Sequence, residues 1–417
     1  MELKTIRFPK VLATSDDGEE PQETATNPQE TDIHFIPEPI VEEILYRVPA
    51  KTVLYFKTVC KTWLSIVDDP FFAKKPFSRA PICPLLIFTD KPTKRIMHLV
   101  EGQTVSDLDP RIGHNLTSRT EFLELGTCPW STGRFLPVNS NAISCEGIVC
   151  WASNTCTTCG GNHIFICNPI TGEHFTFRTL SKDQEYTDYV FIGIGFCRAC
   201  KRFKILRMSR KDSTWWPEVL TVAFKSRWRR VGSGTIRLDF AQEITEVVYV
   251  NGAIYWRYIG DSPIFTFHFE RFRFHGILIE RFAPKKLISL GVLDNSLCVS
   301  MFSPGDGHVE LWAVEISGDN ELRCNKLYNV ETDTTRLEHS GVLGSRGRYK
   351  AIKYLECGGI LMHYWKETFL AYDPVTKTER IFRVLEHSSA RSCLPLQVVP
   401  HVPSLVKLND ALSLGYP

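Results

Sequence analysis

The sequence predicts a mainly β protein with a small N-terminal α module: three short helices, then a propeller-like domain of about six or seven blades. Three observations predict it. Apolar residues recur at helical spacing only between Ile36 and Val67. From Pro84 onward, short β-rich runs bounded by Gly, Pro, Asn and Asp replace that period. Several of these runs then recur as multi-strand units of roughly 40–50 residues, the size of a propeller blade.

The helices come first. Ile40, Ile44, Leu45 and Val48 fall at i, i+4, i+5 and i+8, one helical face. Pro39 fits a first turn, where its missing N–H is no loss, and Glu42 and Glu43 suit the positive end. Pro49 stops this helix by pushing its predecessor out of the α region. A short run follows at Val53, Leu54 and Phe56, and a third at Val59, Trp63, Ile66 and Val67 ends at Asp68-Asp69-Pro70. Burying one aliphatic side chain is worth about 1.5–3 kcal/mol, so three such helices need something to pack against.

The β region opens with Pro84 to Phe88, Gly147 to Trp151 and His163 to Cys167. Further runs follow at Phe203 to Met208, Leu220 to Phe224, Val247 to Val250, Ala253 to Trp256, Ile264 to Phe269, Ser296 to Phe302 and Val309 to Val314. Two units correspond closely. Gly147-Ile148-Val149-Cys150 precedes Asn168-Pro169-Ile170-Thr171, and Gly359-Ile360-Leu361-Met362 precedes Asp373-Pro374-Val375-Thr376. In each, an Asx-Pro pair starts a turn: the Asx side chain caps backbone N–H groups and proline presets φ. Weaker echoes stand at Asn251 to Trp256 and Asn295 to Val299.

The helical segment resembles an F-box, the motif that binds the Skp-type linker protein of a cullin-based SCF ubiquitin ligase. The carriers are Ile36-Pro37, Ile44-Leu45, Val48-Pro49, Val53-Leu54-Phe56, Val59-Cys60-Lys61-Thr62-Trp63 and Asp69-Pro70-Phe71-Phe72. Ile36 and Val48 stand where the family has leucine, and Pro39 is unusual so near the helix start. The later part resembles the F-box-associated, kelch-like domain of land-plant F-box proteins. It does so through Asn168 to Glu173, Gly193 to Phe196 with Phe203 to Ile205, Val250 to Trp256, and Val309 to Trp312. The resemblance divides the chain into an acidic tail (1–31), an F-box (32–73), a linker (74–84), the associated domain (85–405) and a C-terminal tail (406–417).

Composition bounds the function. The 417 residues are 43% hydrophobic and 23% charged, enough for a large core. With 49 basic and 47 acidic residues the net charge is +2, so no global field favours nucleic acid or an anionic membrane. No apolar run of about 20 residues exists, and the first residues lack a signal-peptide core; a soluble intracellular protein of nucleus or cytoplasm is expected. The 14 cysteines are then expected as thiols. Between Val11 and Thr31 the chain is acidic and nearly without large apolar groups, so disorder is expected. Thr14 and Ser15 precede acids, but a solvated tail explains them more simply than a phosphosite.

Sharper chemistry finds little support. Cys156/Cys159 and Cys197/Cys200 are two CxxC pairs, separated by more than a zinc ribbon uses; free loop thiols are the better account. Gly193-Ile194-Gly195 lacks the third glycine and the helix of a dinucleotide fingerprint. Phe267 to His275 interleaves aromatic and basic residues as RNA-binding surfaces do, yet Phe265, Phe267 and Phe269 share one strand face and the phase flips to Phe272 and Phe274. A hairpin turning near Glu270-Arg271 accounts for that pattern. Trp215-Trp216-Pro217 suggests a loop that either anchors a partner or packs on a neighbouring blade. No catalytic constellation and no cofactor site emerges.

The resemblance implies a non-catalytic substrate-recognition subunit. Its linker-binding residues would be Ile36, Pro37, Ile44, Leu45, Val48, Pro49, Leu54, Val59, Cys60 and Trp63. The partners would be the Skp-type linker, cullin through it, and a target protein. An Asp at Leu45 or Val48 would place an unpaired charge at that interface. The alternatives are a scaffold without ubiquitination and, less well supported, a zinc-binding or enzymatic propeller.

Overall fold

The computed structural model describes residues 36–69, 72, 82–91, 94–102, 105, 117–123, 141–152, 163–178, 188–211, 214–223, 226–231, 244–258, 263–277, 285–303, 308–316, 322–331, 349–365, 368–383 and 394–409. The acidic stretch 1–31, most of the expected linker and the pair Cys156 and Cys159 lie outside these residues.

Three helices lead the chain: α1 (Glu38–Tyr46), α2 (Ala50–Phe56) and α3 (Lys61–Asp68). Pro37 and Pro49 precede α1 and α2 with extended backbone, and their carbonyls accept the first helical N–H groups. Among the described residues the strands then form six four-stranded antiparallel sheets. The second blade is β4 (Ile143–Cys145), β5 (Ile148–Ala152), β6 (His163–Cys167) and β7 (His174–Arg178). The third is β8 (Asp188–Cys197), β9 (Arg202–Lys211), β10 (Thr214–Thr221) and β11 (Arg229–Arg230). The fourth is β12 (Ile244–Val250), β13 (Ala253–Tyr258), β14 (Ile264–His268) and β15 (Arg273–Ile277). The fifth is β16 (Lys286–Leu293), β17 (Ser296–Ser303), β18 (His308–Ile316) and β19 (Leu322–Val330). The sixth is β20 (Lys350–Tyr354), β21 (Ile360–Trp365), β22 (Thr368–Asp373) and β23 (Thr378–Arg383).

The first blade joins the two ends of the ring. Strands β1 (Cys83–Lys91), β2 (Lys94–Val100) and β3 (Thr117–Leu123) come early, and β24 (Leu394–His401) pairs with β1 through Leu85↔Val399 and Leu86↔Val398. The expected six or seven blades are six, and the domain begins at Cys83, inside the expected linker.

Strands β24, β4, β8, β12, β16 and β20 line the axis, and polar bonds cross between them. Ser144 Oγ meets His401 Nδ1 at 2.8 Å, Leu290 N–H donates to Glu246 Oε2 at 2.9 Å, and Lys350 Nζ donates to Val398 O at 3.2 Å. Burial holds the His401 imidazole far below its usual value, at about 3, so it stays neutral. Apolar clusters fill the seams between blades around the ring. The Gly193-Ile194-Gly195 run belongs here: a Cβ on Gly195 would lie 2.0 Å from the Phe269 ring, so glycine makes room for an interblade contact.

The hairpin expected at Glu270-Arg271 is present, with Phe265, Phe267 and Phe269 buried on one side. Two expectations change. Trp215-Trp216-Pro217 is not a loop but part of β10. Pro217 fits a strand because the short β11 pairs only with Glu218 and Val219, while Val231 N–H reaches the Pro217 carbonyl. The half-buried Trp216 ring carries Arg230 at 5.0 Å. Nor does a tail start at 406. Val406 and Leu408 are buried, and Leu408 N–H donates to Glu173 Oε2.

Candidate functional site

The helical module is built on the propeller rather than beside it. Val41, Leu45, Ala50, Val53, Ile66, Val67 and Phe72 share one apolar cluster with Leu85, Ile87, Trp151, Ile170, Val399 and Leu405 of the first two blades and the segment after β24. Polar bonds fix the seating. Glu101, just after β2, accepts Ala50 N–H at 3.1 Å, capping α2 with a propeller carboxylate. Burial raises the Glu101 carboxyl's pKa, against the pull of that N–H and of Lys51 and Lys353. At the end of α3, Asp68 Oδ1 lies 2.9 Å from both Lys57 Nζ and Lys407 Nζ, and their hydrogen bonds hold its pKa below the usual value.

With that face turned inward, the other face is left apolar and open. Ile36 is 49% exposed, Ile40 52%, Ile44 42% and Val59 58%, and Tyr55 and Leu64 are also exposed. Exposed large apolar side chains grouped on so small a module mark an interaction surface. The residues expected to touch the linker protein fall into three groups. Ile36, Pro37, Ile44, Val59 and Cys60 are exposed. Val48, Pro49, Leu54 and Trp63 are half-buried, with Trp63 edge-on to Phe56 at 5.2 Å. Leu45 is 1% exposed and packs into the cluster with the propeller. Sequence reasoning left Ile40, Tyr55 and Leu64 off the site. The i, i+4, i+8 spacing of Ile36, Ile40 and Ile44 was the available signal.

The other candidates gain no chemistry. Cys197, buried, ends β8, and Cys200, exposed, sits in the β8–β9 turn. Among the described residues no group of three or more His, Cys, Asp or Glu could hold a metal ion. The heavily bonded carboxylate Glu310 accepts from Lys285 Nζ at 2.6 Å, Lys326 Nζ at 2.7 Å and Trp312 Nε1 at 2.9 Å. Burial raises its pKa, but these bonds and His308 outweigh it and hold the carboxyl at about 2. That is a satisfied structural ion, not a poised acid. No helix among the described residues is long and apolar enough to cross a membrane.

Comparison with known proteins gives two family matches. The F-box domain matches residues 33–75, and the F-box associated beta propeller domain matches residues 115–408. A putative F-box protein of Arabidopsis thaliana is 26% identical over 237 residues, 57% of this chain and 59% of that protein. A second is 23% identical over 399 residues, covering 89% and 98%. An F-box/kelch-repeat protein of the same plant is 28% identical over 186 residues, 42% and 41%. The matched region thus spans less than two thirds of the first of these relatives.

Proposed function

Because the chain belongs to the F-box proteins that carry an F-box-associated β-propeller, we propose that it is the substrate-recognition subunit of an SCF ubiquitin ligase. The module binds a Skp-type linker and through it cullin, and the propeller holds a target protein. The observation that carries this reading is the two-sidedness of the module: one apolar face is consumed by the propeller and the opposite one stays exposed. The chain then contributes proximity rather than chemistry, raising the effective concentration of target lysines beside the ubiquitin-charged enzyme. No catalytic residue is assigned, and the protein acts where that machinery does, in nucleus or cytoplasm.

The outward residues are the docking set: Ile36, Pro37, Ile44, Val59 and Cys60, joined by Ile40, Tyr55 and Leu64 and rimmed by Val48, Pro49, Leu54 and Trp63. Leu45 serves the fold. The test is co-purification with the linker protein. Ile44→Asp, at an exposed position, leaves the melting temperature nearly unchanged and abolishes capture; Leu45→Asp lowers both. Undiminished capture by Ile40→Asp/Ile44→Asp would overturn the mapping. Loss of a bound target that depends on the proteasome separates a ligase subunit from a scaffold.

A further inference from the structure

In every blade the first and third strands end on one face of the ring. The module's contacts at Glu101, Ile170 and Leu405 lie on that face too, over blades one and two. On the same face, over blades three and four, two turns meet. These are the β8–β9 turn and the β14–β15 turn, joined where Ala199 N–H donates to Glu270 Oε1 at 3.2 Å. Lys204 of β9 holds its Nζ 4.3 Å from the centre of the Phe272 ring, a second contact between the two blades.

This junction concentrates positive charge that no close ion pair neutralises. Arg198, Lys201, Arg271 and Arg273 are exposed and Arg202 is half-exposed. Among the described residues none of these five makes an ion pair. Several cations elsewhere sit on acids: Arg207 on Glu218 at 2.8 Å, Lys326 on Glu310 at 2.7 Å, Lys407 on Asp68 at 2.9 Å. The local acids are few: Glu270 accepts from Ala199, and Glu146 feels the charge of Arg198. The cations compete for the same space: burial, and then Arg271, hold the His268 imidazole below its usual value. At the centre Phe272 is 38% exposed at a φ of 51°, a conformation that bulky side chains seldom adopt. A chain carrying only +2 overall thus presents, on one small surface, a cationic rim around an aromatic.

We propose that this surface binds an acidic segment of the target protein, its carboxylates or phosphoesters spaced to meet the Arg198/Lys201/Arg202 and Arg271/Arg273 arms, with apolar contact on Phe272. The proposal rests on the reading of the propeller as the target-binding part. It adds a substrate class and a place: a target held on the module's own face, beside the docked machinery rather than behind the ring. Exposed arginines suit the task because the guanidinium fork pairs with either anion.

The test uses the full chain and a fluorescent peptide of alternating glutamate and serine, its serine-phosphorylated form, and its glutamine counterpart. The acidic peptides bind, the glutamine peptide does not, and added salt weakens the complex. R198E/R271E weakens binding about tenfold or more, whereas the charge-matched pair K377E/R383E on blade six does not. R198Q/R271Q gives a smaller loss and guards against misfolding of the reversed pair. Cys200, exposed inside the surface, is protected from alkylation by bound peptide, while the exposed Cys60 and Cys357 are not. A tighter complex with the phosphorylated form assigns phosphoesters; equal affinities assign carboxylates. No binding, equal loss in both charge-reversed pairs, or tighter binding of single-stranded RNA than of either acidic peptide would overturn the proposal. Capture of the linker protein, measured on the same preparations, is independent of all these readouts. A failed surface and a failed F-box assignment are therefore distinguishable.

Discussion

Two turns in this propeller are written almost alike and live differently. At Asn168-Pro169-Ile170-Thr171 and at Asp373-Pro374-Val375-Thr376, the Asx Oδ1 accepts the N–H two residues on at 2.8 Å and the next at 3.4 or 3.3 Å. Both turns close on a residue of positive φ, Gly172 at 74° and Lys377 at 55°. Local chemistry is therefore the same. Yet Asn168 is wholly buried and its amide also donates to Ser404 O and Val406 O at 2.8 and 2.9 Å, while Asp373 faces water. Ile170 is 3% exposed in the cluster beneath the helical module; Val375 is 89% exposed. A turn motif specifies its own geometry, and its neighbours decide what it is worth.

Exchanging the residues breaks the comparison most sharply. Asn168→Asp replaces a donating amide with a carboxylate facing two carbonyls, at a cost of about 3–5 kcal/mol, read as a large fall in the denaturation midpoint. Asp373→Asn keeps the capping oxygen and leaves that midpoint almost where it was. Next in size, Ile170→Ala costs about 2–5 kcal/mol by opening a cavity under the module and weakens capture of the linker protein; Val375→Ala stays within about 0.5 kcal/mol and leaves capture alone. Lys377→Gly relaxes the positive φ in the native state but gives the unfolded chain more freedom, and the net change is below about 1 kcal/mol. The smallest effect is electrostatic. The N–H of Val375, then the side chain and N–H of Thr376, hold the Asp373 pKa below its usual value. A carboxyl lowered in the fold stabilises above its unfolded value, about 4, and loses that contribution as pH falls through the folded one. Melting curves of native protein and Asp373→Asn should converge only below that range.

The same contrast explains what could be read in advance. The Asx-Pro turns and their echoes located blades two, four, five and six, because such turns depend on neighbours in sequence. Blades one and three were legible only as separate β runs, Pro84 to Phe88 and Phe203 to Met208 with Leu220 to Phe224: the first blade's strands lie at opposite ends of the domain, and the third's turns carry no Asx-Pro pair. In the module the three helices were legible, but not which side faces in. Helix α1 carries two apolar stripes, Ile40 with Ile44 and Val41 with Leu45, and only the propeller's position selects the second for burial. Trp215-Trp216-Pro217 misled because proline usually ends strands, an effect that the two-residue β11 suspends. The cationic surface was out of reach since its arms are about 70 residues apart in sequence, joined only by the packing of blades three and four.

The pairing of β24 with β1 sets an order of events during synthesis. The helical module leaves the ribosome early, but Val399 and Leu405, part of the cluster it rests on, are made about 300 residues after β1. At typical elongation rates of 5–20 residues per second, roughly 15–60 s pass before its seat exists. A chain halted short of β24 carries the module without its support and leaves β1 an open edge. The last strand thus serves as a completeness check, and only finished molecules present a firmly seated module to a partner.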